Sequence, residues 1–217
     1  TPLPVCSRLE MQPFCRQLFG LLLSYMSWTS GIVLAISRSW RVWEFDSKVV
    51  PVVFIGLWDV FYIQKVDISG VLVEMAQEHV MNESWAISDE ISYAQDMILL
   101  ANFIKLPVLI FGTLTLWVSW IKAPYPDFLR MYYKMCACLL LFSSVCTASA
   151  VIWNFYADFS GNTTFDFPPS FPVKKEALIG KRWSYVLPLG ITTASMSVIS
   201  ALSFLFERYL LTPQSQM

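Results

Sequence analysis

Charge is what this sequence has least of. Only 14% of its 217 residues are Asp, Glu, Lys or Arg, while 56% are hydrophobic, and a soluble domain carries about 25% charged residues. A chain this apolar needs lipid as its solvent, which sets aside the soluble classes. Histidine is nearly absent too. His79 is the single one and has no cysteine cluster beside it in sequence, which argues against a metal centre or a histidine-based triad. There is no glycine-rich phosphate loop and no basic face suited to nucleic acid. The five cysteines are Cys6, Cys15, Cys136, Cys138 and Cys146. Cys136 and Cys138 are two apart and point to different sides of a helix, whereas a redox pair wants Cys-x-x-Cys. No enzyme activity, no cofactor, no metal and no nucleic-acid partner is expected.

Where charge is missing altogether, the chain declares its organisation. No charged residue occurs in 17–37, 106–121, 135–157 or 183–206. At ~1.5 Å per residue, three of these intervals cross a hydrocarbon core of about 30 Å unaided. The second is short, but its apolar character runs back through Leu100, Leu99, Ile98 and Met97 with only Lys105 intervening. The intervals predict a mainly α membrane protein, a single domain over 1–217. Its spans fall at about 17–37, 97–121, 135–157 and 183–206, its exported loops at 38–96 and 158–182, and its cytoplasmic segments at 1–16, 122–134 and 207–217. Lys105 is expected to snorkel to the headgroups, since a charge at the bilayer centre costs at least ~2.5 kcal/mol. The other reading turns it inward as a polar contact within the bundle.

The first apolar run is followed by Arg38-Ser39-Trp40 with no small-residue cleavage site, so it is expected to stay as a helix. Six basic residues (Arg8, Arg16, Lys122, Arg130, Lys134, Arg208) lie in the short segments assigned to the cytoplasm, against eight in the two loops, which together are about twice as long. That bias favours cytoplasmic termini. Candidate N-glycosylation triplets agree: Asn82-Glu83-Ser84 lies in the first loop and Asn162-Thr163-Thr164 in the second. Pro124 and Pro126 break the chain between the second and third spans, which become antiparallel neighbours in a left-handed four-helix bundle. Gly20, Ser24, Ser27 and Gly31 in the first span, and Gly190, Ala194, Ser197 and Ala201 in the fourth, suit close helix contact. Cys15 and Cys136 near the cytoplasmic face are candidate palmitoylation sites, with buried helix cysteine the commoner reading.

The first loop reads as a small antiparallel sheet. Residues 58–65 alternate as a strand, Asp67 to Gly70 offers turn chemistry, and Val71 to Met75 supplies the return. Upstream lie Trp40 to Phe45 and Val49 to Phe54, the second with Pro51 inside it, which suggests an edge strand. Ten acidic and four basic residues give this loop a net charge of −6. A solvated acidic surface accounts for that, and a cation-favouring field is the sharper alternative.

A short-loop tetraspan with Trp40-Arg41-Val42 followed by Gly56-Leu57-Trp58 resembles the claudin family. Ala150 to Asn154 together with Phe167-Pro168-Pro169-Ser170-Phe171 is most like the divergent claudin-34 branch. The resemblance implies a four-stranded extracellular sheet, membrane lipid as solvent, association with itself or other claudins in cis and in trans, and a structural role in adhesion at plasma-membrane tight junctions. The alternative is a member of the wider superfamily working elsewhere, as an auxiliary subunit of a channel or a membrane organiser. The chain departs from the pattern at the loop disulfide: Phe61 stands at the first cysteine position, and Val71, Leu72 and Val73 stand near the second. The hairpin is expected to rely on apolar packing instead, with Phe61 across the pair. The tail Ser215-Gln216-Met217 loosely fits a cytoplasmic scaffold domain but lacks the Tyr-Val ending common in the family.

Overall fold

The computed structural model describes residues 5–68, 71–81, 85, 87–121 and 126–211. Four long helices dominate: α1 (Val5–Ile36), α2 (Asp89–Trp120), α3 (Pro126–Phe159) and α4 (Val186–Leu211). Each is long and apolar enough to cross a membrane, over Phe14–Ile36, Asp89–Trp120, Asp127–Phe159 and Val186–Phe206. Two of the helices begin ahead of their charge-free intervals at N-termini electrostatically suited to it. Asp89 and Glu90 occupy the first turn of α2, and Asp127 that of α3, where the helix dipole favours negative charge. Pro126 opens α3 at the one position where a missing N–H costs nothing.

Between α1 and α2 the chain forms β1 (Arg41–Phe45), β2 (Val52–Ile55), β3 (Asp59–Ile68) and β4 (Val71–Val80); between α3 and α4 it adds β5 (Leu178–Arg182). All pairings are antiparallel, in the order β4-β3-β2-β1-β5. Three expectations need correction. The sheet has five strands rather than four, and it is not formed by the first loop alone, since β5 pairs with β1. The stretch around Pro51 is not an edge strand: Pro51 precedes β2, accepts a backbone bond from Phe45 N (2.9 Å) and leaves β2 in the interior of the sheet. The hairpin turn is also tighter, because β3 runs through Asp67 and Ile68.

The chain forms two compact units. One comprises Thr1–Ile32, Leu99–Ala148 and Ile191–Met217. Here α1 and α4 meet through hydroxyls: Ser24 Oγ lies 2.7 Å from Ser200 Oγ, and Ser27 Oγ lies 2.6 Å from Ser197 Oγ. Ser200 also donates to the Gly20 carbonyl (2.6 Å) and Ser27 to the Thr193 carbonyl (3.0 Å). A Cβ on Gly20 would sit 3.2 Å from Ser203 Cβ, so the approach depends on small residues. A core of Val108, Tyr133, Cys136, Leu140, Ala201 and Phe204 completes this unit. Lys105 does not snorkel. Its side chain is fully buried and Nζ donates to the Ser27 carbonyl at 3.2 Å, which is the inward reading of this lysine.

The second unit comprises Val33–Ile98 and Ser149–Gly190. Its core is aromatic. Trp43 meets Phe165 and Phe167 edge-on at 5.8 and 5.6 Å, and Phe171 stacks on Phe167 at 4.4 Å while packing against Tyr62 and Trp85. The Phe167-Pro168-Pro169-Ser170-Phe171 segment turns on a bond from Phe171 N to Pro168 O (2.9 Å), which brings both phenylalanines to the same core.

Candidate functional site

Helix C-termini leave carbonyls without partners, and the second unit covers those of α1 with indoles. Trp40 Nε1 donates to Leu34 O (2.9 Å) and Trp58 Nε1 to Ala35 O (2.7 Å). The two tryptophans of the claudin-like motif thus anchor the beginning of β1 and the β2–β3 turn to one helix end. Gly56 is required by close approach: its N–H donates to Asp59 O at 2.8 Å, and a Cβ there would meet Asp59 Oδ1 at 2.7 Å and Arg38 Cα at 3.1 Å. Leu57 is buried, and its carbonyl accepts from Gln95 Nε2 (2.6 Å). Val42 is buried within β1. Arg38 closes the turn from outside, 3.0 Å from the Asp59 carboxylate and 2.6 Å from Glu78. Burial raises the Asp59 carboxyl above its ordinary value, against the opposing pull of Arg38.

Arg41 is the centre of the arrangement. Its guanidinium is fully buried, with Nε donating to Asn154 Oδ1 (3.0 Å), one terminal nitrogen to Thr163 Oγ1 (2.7 Å) and the other to Glu90 Oε1 (3.1 Å). Burial pulls its pKa down, while Asp158 and Glu90 push it back up; an arginine starting this high stays charged. Glu90 is further held by the hydroxyls of Thr163 and Thr164. Beside it, Asp158 accepts from Trp43 Nε1 (3.0 Å) and pairs with Lys181 (2.9 Å), whose ammonium also lies 5.1 Å from the Trp43 ring centroid. Two cations and two carboxylates close on each other, so the cluster is neutral, and among its described polar atoms Asn154 Nδ2 is left buried without a partner. The cluster ties β1, β5, the starts of the α2 segment and the second loop, and the end of α3 into one body. Chemically it is a clamp, with no open coordination position and no free nucleophile.

Most of this cluster was not legible beforehand. Arg41 stands in the motif, Asn154 in the Ala150–Asn154 segment and Thr163 in the Asn162 triplet, but nothing in the sequence joins them to one another or to Glu90, Asp158 and Lys181, with one exception. Asn154 and Asp158 are four apart at the end of an apolar helix, hence on one face.

What the sheet presents outward is apolar at one end. Every residue of β4 from Val71 to Ala76 is exposed, and Ile68, Val71 and Leu72 are 53%, 63% and 70% exposed. The register brings Ile68 opposite Val71 and Val66 opposite Val73. Val71–Val73 are therefore tip residues, and Phe61 faces Glu78 across the hairpin rather than any of them. The packing partner of Phe61 is Phe54 on β2, at 6.2 Å between centroids. Among the described residues, Glu44, Asp59, Glu74, Glu78 and Glu90 are in ion pairs, Asp59 and Glu78 sharing Arg38, so five of the ten acidic residues of this segment meet four cations.

Asn162 is exposed, next to Gly161 at φ 76°, so its side chain is accessible for modification. Asn82 lies outside the described residues, as does the Ser215–Met217 tail. Cys15 is exposed, whereas Cys136 is buried in the core of the first unit, leaving Cys15 the accessible thiol of the two proposed for acylation. His79 is stacked between Tyr62 and Trp85 at 5.7 and 5.8 Å. No protein-family model matches the chain, and no curated protein matches it.

Proposed function

We propose that the chain is a claudin-like adhesion and structural protein of cell contacts. In this reading the four helices cross the plasma membrane, the α1–α2 and α3–α4 segments are exported, and the five-stranded sheet makes contacts with other copies in cis and in trans at tight junctions. The observation that carries the reading is the projecting β3–β4 hairpin. One face of its end is apolar, with Val66 and Ile68 opposite Val73 and Val71, while the other sets Leu72 opposite Asp67, and among the described residues β4 leaves one edge unpaired within the sheet. Soluble surfaces rarely leave such an apolar patch and such an edge uncovered unless another chain meets them. The indole and arginine anchors support it, because they hold the base of the hairpin rigid. A cation-selective role draws little support from a surface half of whose carboxylates are already paired.

The lack of cysteines in the hairpin favours the second reading, a superfamily member that accompanies a channel or organises membrane. Fibroblasts without junctions decide between the two. Tagged protein expressed in half of a mixed culture is expected to concentrate where two expressing cells touch. Uniform surface density would reject autonomous adhesion and put the auxiliary-subunit reading first.

A further inference from the structure

A groove of about 670 Å³ opens where the beginning of α2 faces the end of α3, lined by Asp89, Tyr93, Ser149, Ile152, Trp153 and Tyr156. The lining follows from helical spacing: Asp89 and Tyr93 are four apart, and Ser149, Ile152, Trp153 and Tyr156 form one stripe of α3. Tyr93 Oη donates to Ser149 Oγ at 3.3 Å and bridges the two helices across the groove floor. Three rings line the groove. Among the described residues, none of them is paired with another ring, and Asp89 has no ion-pair partner. Asp89 is also the only charged group in the described lining, held in the first turn of α2 where the helix dipole favours a carboxylate, so the groove combines aromatic faces with one negative charge that no side-chain cation pairs.

That combination selects a particular ligand chemistry. Aromatic faces attract cations, and most favourably those whose charge is spread over methyl groups that lose little hydration on entry. A guanidinium or primary ammonium would leave N–H donors needing partners, and the described lining offers few acceptors beyond one carboxylate and a few hydroxyls. Resting on the membrane-crossing reading above, we propose that this groove binds the trimethylammonium headgroup of a choline lipid, with Asp89 as counter-charge and Tyr93, Trp153 and Tyr156 as the aromatic walls. Indole and phenol rings at the ends of membrane helices lie at headgroup depth, where such a group is available.

The test uses the full chain in nanodiscs containing phosphatidylcholine, phosphatidylethanolamine and phosphatidylglycerol. Each is traced in turn by a photoactivatable analogue with the crosslinker near the headgroup, and the labelled peptides are mapped. Crosslinks to the segments around 89–93 and 149–156 are expected to favour choline lipid about fivefold, the upper range of a solvent-exposed cation–π contact. Asp89→Asn and Trp153→Ala should each abolish the preference while leaving crosslinks elsewhere unchanged. Equal labelling of the groove by all three headgroups in the wild-type chain would overturn the proposal but leave the membrane reading standing. Absence of lipid crosslinks from every helix would overturn the membrane reading itself.

Discussion

The two compact units are built by opposite chemistry, each within itself. The unit built from 1–32, 99–148 and 191–217 joins its helices with glycine, alanine and serine, and with hydroxyl bonds such as Ser24–Ser200 and Ser27–Ser197. The unit built from 33–98 and 149–190 uses tryptophan, phenylalanine and a buried four-charge cluster. On the membrane-crossing reading proposed above, the difference follows from the solvent of each. In lipid there is no hydrophobic drive between helices, so close approach and interhelical hydrogen bonds supply the association. Where sheet faces meet water, burying aromatic surface drives packing, and a buried ion cluster penalises any arrangement that leaves a member unpaired.

The comparison is broken most severely at Arg41. Arg41→Met is expected to destabilise the second unit by about 3 to 5 kcal/mol, because Glu90 would remain buried without its cation. Unfolding of the purified protein in mild detergent reads this. Adding Glu90→Gln should cost less than the sum of the two single changes, and strict additivity would show that the pair does not act as a pair. Next comes Gly190→Ala, where a Cβ would meet Val151 Cγ2 at 2.5 Å and Val151 Cβ at 3.0 Å; overpacking of this kind costs about 1 to 3 kcal/mol. In the first unit, Ser27→Ala should lose only about 0.6 kcal/mol despite removing two hydrogen bonds, as interhelical bonds in membranes average little more. The smallest stability effect belongs to the hairpin tip. Leu72→Ser should stay within about 0.5 kcal/mol, being an exposed surface change, yet it should lower enrichment at contacts between expressing cells.

The four helices were readable because charge-free runs of this length have few other uses. The base of the sheet was readable from alternation, since Val53, Ile55, Val60 and Tyr62 all point to the core. β5 was not, because Leu178 to Arg182 is short and carries Gly180 and two cations, which resemble loop; its structure comes from pairing with β1. For Lys105 the snorkelling expectation fails and the inward one holds, for a related reason. A lysine in an apolar run is assigned to the nearest water, and only the fold reveals the Ser27 carbonyl waiting inside. The motif residues Trp40, Gly56 and Trp58 were visible as a pattern, but their work depends on the carbonyls of Leu34 and Ala35, which no side-chain pattern displays.

One measurement bears most directly on the account that the α1–α2 and α3–α4 segments build a single sheet on the outer side of the membrane. In a cysteine-free background, single cysteines at Leu72, on the hairpin tip, and at Ile179, on β5, are both exposed positions; a third variant retains only Cys15. Intact cells treated with a membrane-impermeant thiol reagent should label the first two and spare Cys15 until the membrane is permeabilised. Labelling at only one of Leu72→Cys and Ile179→Cys, or at Cys15 in intact cells, would place these segments on different sides and contradict the account.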